Sequence, residues 1–321
     1  EQNSQSTAEF LISKGANPDS ALHGINSVDW AQFLIAKGAD VNRINFENQP
    51  PLHYATINYQ KEIVGVLLSH QANVNAKDKF GNSPLHLISQ INQKNSDYLG
   101  INIVKLLVDK GANIDIKNNR GYTPLHLGAK EHHKYIVEYL IQKGAKIDER
   151  ATSNAKTPLM LAAKGFSNIS IIQLLIENGA NVNAKDKDGE TPLHIAGMNT
   201  NKNNDIIQLL VNSGADINAK NNNGETPLHK SIYWYKGIQD IKNSVRYLVE
   251  SGAKINLKDN NRLTPLHIAA ASGVTDLVKL LIELGADVNA QDSQGNTVLN
   301  IATINRDREL MESILLNNAT N

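Results

Sequence analysis

This sequence predicts an all-α solenoid of stacked helix-turn-helix units with projecting β-hairpin loops, on three observations. The tetrapeptide Thr-Pro-Leu-His at 123–126 returns at 191–194, 226–229 and 264–267, with Ser83–His86 and Thr157–Met160 as near copies. Neighbouring copies begin 34 to 40 residues apart, a period that marks stacked supersecondary units rather than one globular core. A Gly-Ala pair stands between successive copies, at Gly38, Gly111, Gly144, Gly179, Gly214, Gly252 and Gly285. Between the two marks, apolar residues recur with helical spacing, clearest in Ile171, Ile172, Leu174, Leu175 and Ile176.

Each element of the unit has a local cause. Threonine caps a helix start through its hydroxyl, and proline tolerates the first helical position, where an N–H would have no partner. Seven of the nine prolines (Pro51, Pro84, Pro124, Pro158, Pro192, Pro227 and Pro265) occupy this slot and fix where the first helix of each pair begins. The second helix stops at the glycine of Gly-Ala, because glycine takes the left-handed C′ conformation without steric cost. Past the stop, segments such as 182–189 and 217–224 end in Asp-Gly or Asn-Gly, the chemistry of a hairpin turn.

Nine units are expected over 18–321, anchored near His23, His53, His86, His126, Met160, His194, His229, His267 and Asn300. An outer helix within 1–17, placed at Ala8 to Ser13, precedes them. The array reads as one domain, 1–321, with no internal boundary. Its ends depart from the pattern, as expected where a stack turns a polar face to water. Ser20-Ala21-Leu22-His23 lacks the Thr-Pro signal, and Thr297-Val298-Leu299-Asn300 opens a capping repeat over 297–321 with no hairpin behind it.

The segment Asn183-Ala184-Lys185-Asp186-Lys187-Asp188-Gly189-Glu190-Thr191-Pro192-Leu193-His194-Ile195-Ala196 resembles the ankyrin repeat almost position by position, and the resemblance covers nearly the whole chain. It implies a non-enzymatic scaffold that holds a partner protein along its concave face and hairpin tips and needs no cofactor. Heavy use of Asn, Ile and Lys suggests an AT-rich genome. Together with the resemblance this points to the ankyrin effectors that intracellular bacteria or symbionts deliver into a host cell. A eukaryotic adaptor is the other source considered. The alternative function is the targeting arm of a larger toxin or enzyme whose active domain lies outside this chain.

Composition limits the partners. With 32 acidic and 32 basic residues the formal charge is zero, so no global field draws the chain to nucleic acid or to an anionic membrane. No apolar stretch approaches the roughly 18 residues that span a bilayer, and no signal peptide is read. The absence of cysteine removes disulfides, thiolate metal sites and cysteine nucleophiles. A cytoplasmic monomer is expected.

Histidine is plentiful but repetitive. His53, His86, His126, His194, His229 and His267 share one slot, where the resemblance implies an imidazole bonded to neighbouring backbone rather than a catalyst. His132-His133 falls at the turn between two helices without the further ligands a metal needs. Asp186-Lys187-Asp188-Gly189-Glu190 is similar to part of a calcium loop, yet the first ligand position would be Ala184 and no closing Glu follows. No catalytic residue and no metal ligand is assigned.

Function is then sought in positions that packing leaves free. In the family these are the hairpin tips and the end of the inner helix. Here they hold Phe46, Ile57, Phe80, Ile91, Arg120 and Tyr122, beside polar residues such as Lys79, Gln90, Lys130, Glu190 and Glu225. Phe46, Phe80 and Tyr122 set an aromatic at three successive tips. Such rings make interface hot spots, or they stack on the next hairpin and stiffen it. Tyr233-Trp234-Tyr235 adjoins an insertion that is expected to lengthen the inner helix or its turn, and a second insertion spans Asn92 to Asp97. Asn75, Asn183 and Asn289 resemble the asparagines that ankyrin-directed hydroxylases modify.

Overall fold

The computed structural model describes residues 2–92, 96–165, 169–198, 204–233, 238–306 and 308–320. The expected single array meets a division of its contacts into two compact units, 1–153 and 154–321. In the first unit α1 (Gln2–Ser13) precedes four pairs: a 3-10 helix (Asp19–Gly24) with α2 (Val28–Ala36), α3 (Pro51–Ile57) with α4 (Lys61–Ser69), α5 (Pro84–Gln90) with α6 (Ser96–Asp109), and α7 (Pro124–Lys130) with α8 (Lys134–Gln142). The second unit holds five pairs: α9 (Pro158–Ala163) with α10 (Ile169–Glu177), α11 (Pro192–Gly197) with α12 (Asn204–Asn212), α13 (Pro227–Tyr233) with α14 (Ile238–Glu250), α15 (Pro265–Ala271) with α16 (Thr275–Glu283), and α17 (Val298–Ile304) with α18 (Arg308–Thr320). The first pair, whose Ser20-Ala21-Leu22-His23 lacks the Thr-Pro signal, is the one whose first member tightens to a 3-10 helix.

The helix start is a reciprocal box rather than a plain threonine cap. The N–H of His126 points to Thr123 Oγ1 at 3.4 Å, while the N–H of Thr123 donates to His126 Nδ1 at 3.1 Å. The N–H of Ser83, Thr191, Thr226 and Thr264 donates likewise to the Nδ1 three residues on. Met160 substitutes its thioether sulfur at 3.4 Å and Asn300 its carboxamide oxygen at 2.8 Å. The slot therefore demands an acceptor, as the third position of a capping box does.

Within each unit, first helices stack on first helices and second on second, α3 on α5 on α7 and α2 on α4 on α6 on α8 in the first unit. The signature leucine (Leu52, Leu85, Leu125, Leu159, Leu193, Leu266) is buried throughout, as is the i, i+1, i+4 stripe of the second helix, for example Ile136, Val137 and Leu140. That spacing keeps three apolar side chains on one helix face. Truncating one such leucine to alanine costs about 2–5 kcal/mol.

Among the described residues no strand forms, so the projecting hairpins are tight turns instead. Asp186 Oδ1 accepts the N–H groups of Asp188 and Glu190, both at 2.9 Å, and the Glu190 carbonyl accepts the Asp186 N–H at 3.0 Å. Each tip then gives its neighbour one backbone bond, such as Asn119 N to Phe80 O at 3.0 Å. One bond per pair is too few for a β ladder. Close stacking fixes the turn glycine: a Cβ on Gly189 would sit 2.5 Å from Asn222 Oδ1.

Both insertions lengthen second helices. α6 has 14 residues and α14 has 13, where α4, α8, α10, α12 and α16 have nine, while α13 keeps the seven residues of α5 and α7. The residues that follow α13, 234–237, lie outside the described residues, and the expected lengthening of the inner helix or its turn falls there. The added turn of α6 carries Asp97, whose carboxylate accepts the N–H groups of Tyr135 and Ile136 at 3.0 and 3.1 Å and so caps α8 from the repeat before it.

Candidate interaction surface

In the first unit, the turn tips and the ends of α5 and α7 enclose a cavity of about 350 Å³. Phe80, Arg120 and Tyr122, three of the residues expected at the surface, line it together with Asn82, Gln90 and Lys130. Asn119 completes it with Asn118 and Leu127, two residues that the sequence did not single out. Phe80 is held by its backbone: its N–H donates to Asp78 Oδ1 at 2.9 Å and its carbonyl receives Asn119 N. The ring itself stays 59% exposed, with Lys79 Nζ 5.1 Å from its centroid. Tyr122 leans on the His126 ring at 5.5 Å between centroids.

The three tip aromatics therefore differ. Phe46 is 91% exposed, Phe80 borders the cavity, and Tyr122 lies against His126 of its own repeat. Ile57 ends α3 and Ile91 follows α5; both are half-buried and neither lines the cavity. Tyr233 closes α13, while Trp234 and Tyr235 lie outside the described residues.

In the second unit the same slots hold charge. Lys230 occupies the position that is Leu87, Leu127, Leu161, Ile195 or Ile268 in other repeats, a signal present in the sequence. Its ammonium lies 3.0 Å from Glu190 and 3.6 Å from Glu225, all three side chains being at least 85% buried. Burial opposes charge at Lys230, yet the two carboxylates outweigh it and raise its pKa. Burial likewise works against the Glu225 carboxylate, but the Asn221 amide at 2.7 Å and Lys230 hold its pKa below the ordinary value.

The signature histidines link repeats. Nε2 of His53, His86, His194, His229 and His267 meets a carbonyl of the following loop at 2.9 to 3.3 Å. A carbonyl only accepts, so Nε2 carries the proton and Nδ1 is left to accept, which defines a neutral tautomer. Burial dominates and depresses the pKa of His53 and His229, and pushes His86 and His194 down to about 4. His132 takes the left-handed turn position at φ 61°, the role Gly273 fills at φ 68°.

Asn75 and Asn183 also clip neighbouring repeats. The Asn75 carboxamide accepts Asn113 N at 2.8 Å and donates to Gly111 O at 3.3 Å, and Asn183 does the same with Asp216 N and Gly214 O. Asn289, the third candidate for hydroxylation, is exposed.

A family model described as Ankyrin repeats (3 copies) matches residues 1–78, 19–100, 71–151, 94–186, 159–259 and 238–321, which together cover the chain. This chain belongs to the ankyrin-repeat family. Its ankyrin repeats are similar to those of an ankyrin repeat protein of vaccinia virus (strain Copenhagen), 34% identical over 64 residues, 20% of this chain and 11% of that one. They are also similar to a putative ankyrin repeat protein of Rickettsia bellii (strain RML369-C), 32% identical over 88 residues, 27% of this chain and 36% of the relative. The alignments thus span about a tenth to a third of the relatives' length. Ankyrin repeats generally mediate protein–protein binding, and the family typically acts without catalysis. Among the described residues, no helix is long and apolar enough to cross a membrane.

Proposed function

We propose that this ankyrin-repeat chain holds a partner protein on its turn tips and inner-helix ends, and that it does so as an effector acting inside a host cell. The exposed aromatics at the tips of the first unit support this reading most directly: Phe46 and Phe80 present 91% and 59% of their surface to solvent on backbones fixed by turn hydrogen bonds. Rigid rings on a fixed frame bind with little loss of entropy. The similarity to a Rickettsia protein supports the host-cell setting. Affinity capture from eukaryotic and bacterial lysates, with wild type and the Phe46→Ala/Phe80→Ala variant, tests both statements. A eukaryotic protein is expected that the variant binds about 1–3 kcal/mol more weakly, at an unchanged melting temperature. Equal capture by both chains, or a partner found in the bacterial lysate alone, overturns the reading.

A second reading, the targeting arm of a larger toxin or enzyme, is favoured by the greater length of the vaccinia relative, of which the matched segment is 11%. A reading frame carrying no further domain on either side would dismiss it.

A further inference from the structure

The cavity of the first unit has a mixed lining whose parts specify a partner chemistry. One wall is apolar: the exposed Phe80 ring, Tyr122 seated on His126, and Leu127, which is buried beneath them. The lining carries two cations, Lys130 and Arg120, and they are not equivalent. Lys130 is paired with Glu131, which also receives the Asn92 amide at 3.0 Å. Arg120 has its backbone fixed, its N–H on Asn118 Oδ1 at 3.0 Å and its carbonyl receiving Ser153 N at 3.1 Å, while its guanidinium is exposed and has no carboxylate among the described residues. The cavity therefore offers an apolar seat beside one uncommitted, planar, five-donor cation.

We infer that this cavity receives one aromatic or branched aliphatic side chain from an extended acidic segment of a partner protein, and that a carboxylate next to that side chain pairs with Arg120. Charge complementarity selects the occupant. A guanidinium matches a carboxylate bidentately, and a basic segment would set its charge against the uncommitted Arg120. The volume of about 350 Å³ suits a single large side chain rather than a folded surface. This inference rests on the partner-binding reading above and adds to it the chemistry of what is bound.

Fluorescence anisotropy with the full chain and three labelled peptides tests it: Ser-Gly-Asp-Phe-Glu-Gly-Ser, the same peptide with Lys for both acids, and the same peptide with Ala for Phe. The acidic phenylalanine peptide is expected to bind about tenfold more tightly than either control. Arg120→Glu should invert the preference toward the lysine peptide, and Phe80→Ala should weaken the acidic peptide about tenfold, both at unchanged melting temperature. No preference between acidic and basic peptides, or a preference that survives Arg120→Glu, overturns the inference. A photo-crosslinking residue at position 46 separates the two levels: crosslinks to a lysate protein without acidic-peptide binding refute this chemistry and leave the scaffold reading standing, whereas neither result refutes both.

Discussion

Two regions use the same pair of slots in opposite ways. Between α5 and α7, the residue before the signature is Asn82 or Tyr122 and the fifth residue from its start is Leu87 or Leu127, and the space beside them is an open cavity. Between α11 and α13 those slots hold Glu190, Glu225, Ile195 and Lys230, and the lysine bridges the two carboxylates. One backbone thus supports either an unfilled apolar seat or a charge cluster satisfied by its own members. A site that saturates itself leaves less to offer a ligand, which is why the first region carries the binding proposals.

Acid is expected to have the largest effect, and it acts on both regions. His86 in the first unit and His194 in the second are neutral in the fold and held to about 4 by burial, against an ordinary 6.5. Between those values the unfolded chain takes up a proton that the folded chain refuses. The stabilisation is therefore complete above pH 6.5 and declines as pH falls toward 4, by roughly 3 kcal/mol for each histidine. Glu225 adds a second loss: its depressed pKa contributes stability above its ordinary value of 4.5 that disappears as pH drops below it, and the depressed carboxylates of Asp19 and Glu149 act in the same direction in the first unit. Urea unfolding of the full chain at pH 7, 5 and 4 should show a loss at pH 5 that deepens at pH 4; equal stability at pH 7 and pH 5 would mean that the buried histidines are not held neutral.

Lys230→Leu restores the apolar residue of the other repeats and strands Glu190 and Glu225. A loss of about 2 kcal/mol is expected, less than for a fully buried pair because the cluster keeps some contact with water. Adding Glu190→Gln and Glu225→Gln should recover most of it, since the backbone accepts Leu87 and Leu127 in that slot. Failure of this rescue in chemical denaturation would mean that Lys230 packs through its stem rather than its charge.

The smallest effect sharpens the comparison at a site remote from both regions. Gln71 holds φ 66° at a helix stop where glycine stands elsewhere, and the N–H of Ala72 reaches Leu67 O at 3.0 Å just as the glycine stops do. Gln71→Gly should raise stability by about 0.5–1 kcal/mol. A decrease would show that the side chain makes a contact outweighing its strained backbone.

Much of this was legible along the chain because ankyrin repeats are stabilised by local signals. Pro124, the acceptor at His126 and the left-handed Gly144 each act on residues within a turn or two of themselves, so their sequence spacing is their spatial spacing. The absence of strands among the described residues was not legible, since Asp186-Lys187-Asp188-Gly189 has hairpin chemistry whether or not its neighbour supplies a second backbone bond. Nor was the placement of the insertions: the residues between α5 and α6 could have lengthened either helix, and the capping of α8 by Asp97 depends on a contact 38 residues away.

The sequence alone determined the period and where the capped first helices start and the glycine-stopped second helices end, because each of these depends on interactions between residues close in the chain. Only the tertiary structure decided that Phe80, Arg120, Tyr122 and Lys130 line one cavity while Lys230 bridges Glu190 and Glu225, which the sequence had placed among the free positions. Both outcomes turn on distances between successive repeats, and those distances are fixed by how closely one turn stacks on the next.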